Sequence, residues 1–128
     1  MTRTVAVTNF TNGKLPRLPF EYIKNAILGA SYELSLVFAG DRRMLSLNKR
    51  YRKKTYTPNT LSFPLDKNCG EIFINLNRIP VEAPRYQLSE RGYIAFLFIH
   101  GLFHLEGLKH GATMDKKEQE MLKQFNIR

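Results

Sequence analysis

"SERGYIAFLFIHGLFHLEGLKHG", Ser89–Gly111, decides how this chain folds and what it carries. Ser89 is a good N-cap residue, and Glu90 puts a negative charge in the first turn, where the helix dipole favours it. The run from Gly92 to Glu106 is apolar nearly all round, so the helix it predicts is central and buried. That helix carries His100 and His104, and His110 follows just beyond it. All three histidines of the chain thus fall in one short segment.

His100 and His104 are four residues apart, so on a helix their rings project from one face, a turn apart. At about 100° per residue, a continued helix would turn His110 about 240° away from His104. A chain reversal after Glu106 brings it back, and Gly107 can supply that reversal because glycine adopts the left-handed conformation that ends helices. One histidine on an apolar helix reads as a packed ring. Three at a spacing that closes only through Gly107 read as ligands of one metal ion. Three nitrogen donors leave a fourth tetrahedral position open, as in catalytic zinc sites. The spacing H-x-x-x-H-x-x-G-x-x-H is also that of the metzincin proteases, in which a glutamate follows the first histidine and serves as general base. Gly101 occupies that place here, which keeps the metal site and removes the protease's base.

Elsewhere the patterns are shorter. "RTVAVT", residues 3–8, reads as a strand with Val5 and Val7 on one side. Phe20, Ile23, Ala26, Ile27 and Ala30 recur at helical spacing and predict a helix over 19–30. "ELSLVFA", residues 33–39, is a strand with Leu34, Leu36 and Phe38 on one face. Asp41 is a plausible N-cap for a helix to about Arg52, with Met44, Leu45, Leu47, Asn48 and Tyr51 inward. "TLSFPL" and "GEIFIN" flank the turn-like "DKNCG" and can pair as a hairpin. Pro80 and Pro84 make 78–87 a broken helix or irregular loop. A last helix over about 114–124 carries Met114, Met121, Leu122 and Phe125. Strands and helices alternate, as in α/β or α+β proteins with one mixed sheet. The expectation is α+β: a single domain over 1–128, with a small sheet of about four strands packed with helices around the central helix.

Twenty Lys and Arg stand against eleven Asp and Glu, a net charge of +9. Such an excess favours a polyanionic partner, nucleic acid above all; the sequence offers no basic amphipathic tail for a membrane. Seven of the twenty cations lie in one stretch: Arg42, Arg43, Lys49, Arg50, Arg52, Lys53 and Lys54, with Tyr51 and Tyr56 among them. Cations beside stackable rings suit single-stranded RNA. The one cysteine, Cys69, allows no intramolecular disulfide, fits a reducing cytoplasm and reads as a turn or core thiol. No run of about 18 apolar residues is present, and the N-terminal segment lacks the pattern of a secretory signal.

The run "HGLFHLEGLKH", His100–His110, resembles the H-G-x-L-H-L-x-G-Y-D-H signature of the bacterial YbeY family, single-domain zinc-dependent endoribonucleases implicated in rRNA maturation. "LNKRYRKK" (Leu47–Lys54) is similar to the family's L-N-x-x-Y-R-x-K, "LSFP" (Leu61–Pro64) to the end of its P-T-D-V-L-S-F-P, and "GEIFIN" (Gly70–Asn75) to its G-D-I-x-I. The resemblance spans about residues 40–125. It implies one Zn2+ per chain on His100, His104 and His110, with Arg52 stabilising charge on a phosphodiester. It further implies a cytoplasmic endonuclease of single-stranded RNA in 16S rRNA maturation and ribosome quality control, with ribosomal particles as partners and neither DNA nor membrane expected. Lys49, Arg50, Lys53 and Lys54 are candidate RNA contacts. The chain departs from the signature at Asn59, where the family has Asp, at Leu108-Lys109 in place of Tyr-Asp, and at Pro80 and Pro84 in a region usually helical. Glu106 is the nearest carboxylate in sequence, and at a helix end it reads more readily as solvated than as a base. Two other readings share these features: a protease-like metallohydrolase, against which Gly101 argues, and a non-catalytic rRNA- or ribosome-binding module with a metal site.

Overall fold

Short runs of β-branched and aromatic residues form strands β1 (Val5–Asn9), β2 (Glu33–Ala39), β3 (Thr60–Asp66) and β4 (Cys69–Asn75) in the computed structural model, which describes residues 3–128. They make one mixed sheet in the order β1-β2-β4-β3. β1 and β4 run parallel to β2 on its two sides, with Val5 opposite Leu34 and Leu36 opposite Ile72. β3 returns antiparallel to β4 as the expected hairpin, its register shifting between Pro64 and Asp66. Pro64 has no N–H to give a ladder, which an edge strand tolerates. The class is α+β, as the alternation of elements predicts.

Parallel neighbours need crossovers, and helices α1 (Phe20–Leu28) and α2 (Asp41–Arg52) lie in them. On α1, Phe20, Ile23 and Ile27 face the core, whereas Ala26 and Ala30 are exposed and Lys24 is buried in their stead. Its ammonium is satisfied there, donating to the carbonyls of Tyr32 at 2.7 Å and Gly29 at 3.0 Å and to the Thr4 hydroxyl. Asp41 is the first residue of α2 and not its cap. Gly40 holds the cap position, and Asn77, reaching across from beyond β4, accepts the Asp41 N–H at 2.9 Å. The Asp41 carboxylate instead accepts from the Asn75 side chain at 2.8 Å. Tyr51, expected inward, is 61% exposed, because α2 turns only Met44 and Asn48 fully into the protein. Its ring edge rests on Phe63, with centroids 5.7 Å apart.

The proline-containing segment is a broken helix: 3-10 turns at Leu76–Arg78 and Ala83–Tyr86 flank the single turn of α3 (Ile79–Glu82). Pro80 and Pro84 sit near the start of their turns, where the missing N–H costs nothing. Helix α4 (Glu90–Glu106) follows, with the Ser89 hydroxyl accepting the Gly92 N–H at 3.0 Å, and α5 (Ala112–Gln124) closes the fold. Ten residues of α4 are buried, among them Tyr93, Phe98, Ile99 and Leu102. They pack on the sheet face formed by Leu34, Leu36, Phe38, Ile72 and Ile74, making the main core. No helix among the described residues is long and apolar enough to cross a membrane.

Gly101 marks where α4 comes closest to the sheet. A β-carbon there would stand 2.9 Å from Ser62 Oγ and 3.0 Å from Ile72 Cδ1. The position that a metzincin fills with glutamate is thus pressed against β3 and β4, with no room for a carboxylate. Gly101→Glu buries an unpaired charge in this contact and is expected to cost on the order of 3 kcal/mol or more, read as a fall in the urea midpoint. A midpoint within error of the parent's would show that the crossing is looser than its distances state.

Candidate metal centre and its cleft

His100 and His104 leave α4 on one face near its C-terminal end, and their Nε2 atoms lie 3.0 Å apart. Gly107 then ends the helix at φ 104°, its N–H donating to the His104 carbonyl and the Leu108 N–H to that of Phe103, each at 3.0 Å. This is the Schellman closure, with Leu108 tucked against the core after the left-handed residue. The reversal returns His110 to the pair. Ring centroids are 4.5 Å apart for His100–His104 and 4.8 Å for each pair that includes His110.

One nitrogen from each ring lies within 4.8 Å of the others, a group that can hold a metal ion. Ligands at about 2.0–2.1 Å in a tetrahedral sphere stand about 3.3 Å from one another, close to the Nε2 separation seen. Burial pushes the His104 imidazole below the ordinary histidine range, and the neighbouring His100 and His110 push it the same way. The neutral ring is the form that binds metal.

Sequence reading missed the carboxylate that orients the site. Glu118 projects from α5, is 3% exposed, and its Oε2 accepts from His100 Nδ1 at 2.5 Å. A carboxylate can only accept, so the proton sits on Nδ1 and Nε2 is left free to ligate. Nothing in "DKKEQE" distinguishes Glu118 from its solvated neighbours except its spacing from Met114 and Leu122 on the buried face. Glu106, the nearest carboxylate in sequence, is exposed and does not line the cleft.

The histidines line a cleft of about 860 Å³. Arg52, from the end of α2, lines the same cleft, as do Tyr56, Asn59, Glu82 and Asp115. Lys49, Arg50, Lys53 and Lys54 do not line it; they are exposed on α2 and just after it. Lys109 is exposed and also outside the lining. Asn59, where the signature carries an acid, donates its amide to Glu82 Oε1 at 3.0 Å. A carboxylate is therefore present at this wall, supplied by α3. Tyr93 donates to the same oxygen at 2.5 Å, and Arg78 to Oε2 at 3.0 Å. Burial raises the Glu82 carboxyl, but these hydrogen bonds outweigh it and hold the group below the usual carboxylate range. Burial and the adjacent Glu82 together push the Tyr93 phenol well above its ordinary value. Glu82 and Glu118 are thus engaged, and Asp115 is the exposed carboxylate of the lining.

Three imidazoles able to hold a metal ion, in a cleft that Arg52 also lines, define a metallohydrolase-like α+β protein. Comparison with known proteins makes this specific. The chain matches the family model described as Endoribonuclease YbeY over residues 7–126. It is 35% identical over 107 residues to the Endoribonuclease YbeY of Alkaliphilus metalliredigens, covering 75% of this chain and 68% of that one. To the Endoribonuclease YbeY of Ehrlichia canis it is 33% identical over 120 residues, 83% of this chain and 78% of the relative. The chain belongs to the YbeY family. Its fold is similar to the solution structure of TM1509 from Thermotoga maritima, with a TM-score of 0.66 at 18% identity over 94% of this chain and 88% of that one.

If Glu118 sets the His100 tautomer, Glu118→Ala weakens metal binding by about 10–100-fold, while Glu106→Ala leaves it unchanged. Calorimetric titration of the metal-stripped protein measures both.

Proposed function

We propose that this protein is a zinc-dependent endoribonuclease that cleaves single-stranded RNA in 16S rRNA maturation and ribosome quality control. In this reading the chain is a single metallohydrolase domain, works in the cytoplasm and meets its substrate on ribosomal particles. One observation carries the reading: three histidines able to hold a metal ion and an arginine share one cleft. Family membership supplies the reaction class.

His100, His104 and His110 would hold one Zn2+ per chain. When bound, the ion supplies Lewis-acid polarisation of a phosphoryl oxygen or a water. The remaining chemistry belongs to the chain. Arg52 offers a planar fork to the paired oxygens of a phosphodiester and stabilises the charge that develops on them. Asp115, an exposed carboxylate of the cleft lining, would accept a proton there. Glu118 keeps the His100 ring in its tautomer. Lys49, Arg50, Lys53 and Lys54 neutralise phosphates along the strand outside the cleft, so binding weakens as salt rises.

The test uses purified protein and a defined single-stranded RNA, with metal content measured alongside cleavage. Wild type should hold about one zinc per chain and cleave, and His104→Ala should lose both. Arg52→Ala should keep its zinc and lose about 10²–10³ in kcat, with Arg52→Lys recovering only part, since an ammonium lacks the fork. Full cleavage by metal-free protein, or by His104→Ala, overturns the mechanism.

A further inference from the structure

Eight large apolar or aromatic side chains are exposed among the described residues, and two of them, Tyr56 and Tyr86, line the cleft. Tyr86 differs from the rest in what lies beneath it. Its ring stacks on Tyr93 with centroids 5.1 Å apart and planes 25° apart, and stands 5.4 Å from Phe96. Tyr93 and Phe96 are themselves near-parallel, at 19° and 6.0 Å, and Phe96 lies 6.1 Å from the His100 ring. A tier of three rings therefore leads from an exposed tyrosine to the first histidine of the metal centre.

The tier is rigid at its base. Tyr93 is fully buried and its hydroxyl is tied to Glu82, which Asn59 and Arg78 also hold. The Arg78–Glu82 ion pair also offsets a negative charge that would repel a nucleic acid strand from this wall. Tyr86, at the end of a 3-10 turn, is 52% exposed, which leaves much of its surface open to a ligand. An aromatic face held in place by packed rings, in a cleft that Arg52 also lines and in a chain of net charge +9, suits a nucleobase more than an apolar peptide.

We propose that Tyr86, backed by Tyr93 and Phe96, is a base-stacking subsite for one unpaired nucleobase of the strand whose phosphate reaches the histidine centre. The inference rests on the reading of this cleft as an RNA site and assigns it a binding wall distinct from the reacting end. A base must leave its helix stack to lie on Tyr86, so the subsite selects single strands over duplex. Stacking is sequence-tolerant, since every base presents a π-face.

The experiment measures binding by fluorescence anisotropy in the His104→Ala background, where cleavage does not interfere, on one single-stranded oligoribonucleotide and on versions carrying one abasic residue at successive positions. Tyr86→Ala should raise Kd about tenfold, and Tyr86→Phe, which keeps the ring, should not. One abasic position should cost the protein with Tyr86 intact the same factor, and should cost Tyr86→Ala nothing further. Tyr86→Ala binding as tightly as its parent, or an abasic penalty that persists in Tyr86→Ala, overturns the subsite. Cleavage by wild type is assayed separately: a protein that binds through Tyr86 but never cleaves refutes the nuclease reading and leaves the subsite standing. A nuclease indifferent to Tyr86 does the reverse.

Discussion

At Gly101 the axis of α4 passes so near the sheet that Ser62 and Ile72 occupy the space a β-carbon would need. The flanking Phe98, Ile99 and Leu102 are fully or almost fully buried, each contributing about 1.5–3 kcal/mol by leaving water. The helix therefore cannot roll or slide without opening the core. His100 and His104, one residue before and three after the crossing, inherit that rigidity. The apolar packing fixes where the two imidazoles stand, and their chemistry follows from a position the core has chosen.

A rigid helix places two ligands at most on one face in one turn, so the third must come from elsewhere in the chain. Gly107 solves this within three residues. The left-handed turn satisfies the last carbonyls of α4 and redirects the chain, and His110 arrives beside the pair before α5 begins. α5 then folds back along α4 and returns Glu118 to the far side of the His100 ring. One turn thus delivers both the third imidazole and, indirectly, the carboxylate that orients the first. Shortening or stiffening the 107–111 connection would disturb both at once, which distinguishes it from an ordinary surface loop.

Features set by local chemistry were legible in the sequence. The all-round apolar run announced a buried helix, Ser89 its start and Gly107 its end, and the proline pair a broken helix. Features set by a distant neighbour were not. Asp41 looks like a cap by composition, yet Asn77 completes the helix start from beyond β4. Tyr51 has the spacing of an inward residue, but α2 touches the sheet along too narrow a stripe to cover it. Glu118 reads as one charge in a charged helix until its buried partner is known. Glu106 was conspicuous because it adjoins the motif, and adjacency in sequence says little at a helix end that points its side chain to water.

At position 59 the cleft wall carries an amide, and its carboxylate is Glu82. Glu82 reaches this wall from α3 and takes the Asn59 amide as a donor. The proline-broken geometry of 76–86 is what brings Glu82 and Tyr86 to the same wall, so the departure at Asn59 and the departure at Pro80 and Pro84 meet in one local structure. A carboxylate held by Tyr93, Asn59 and Arg78 keeps a fixed charge and spends it on positioning rings. If the proposed function holds, the cleft divides its work, with the histidines and Arg52 meeting the phosphate and the Tyr86 wall meeting a base.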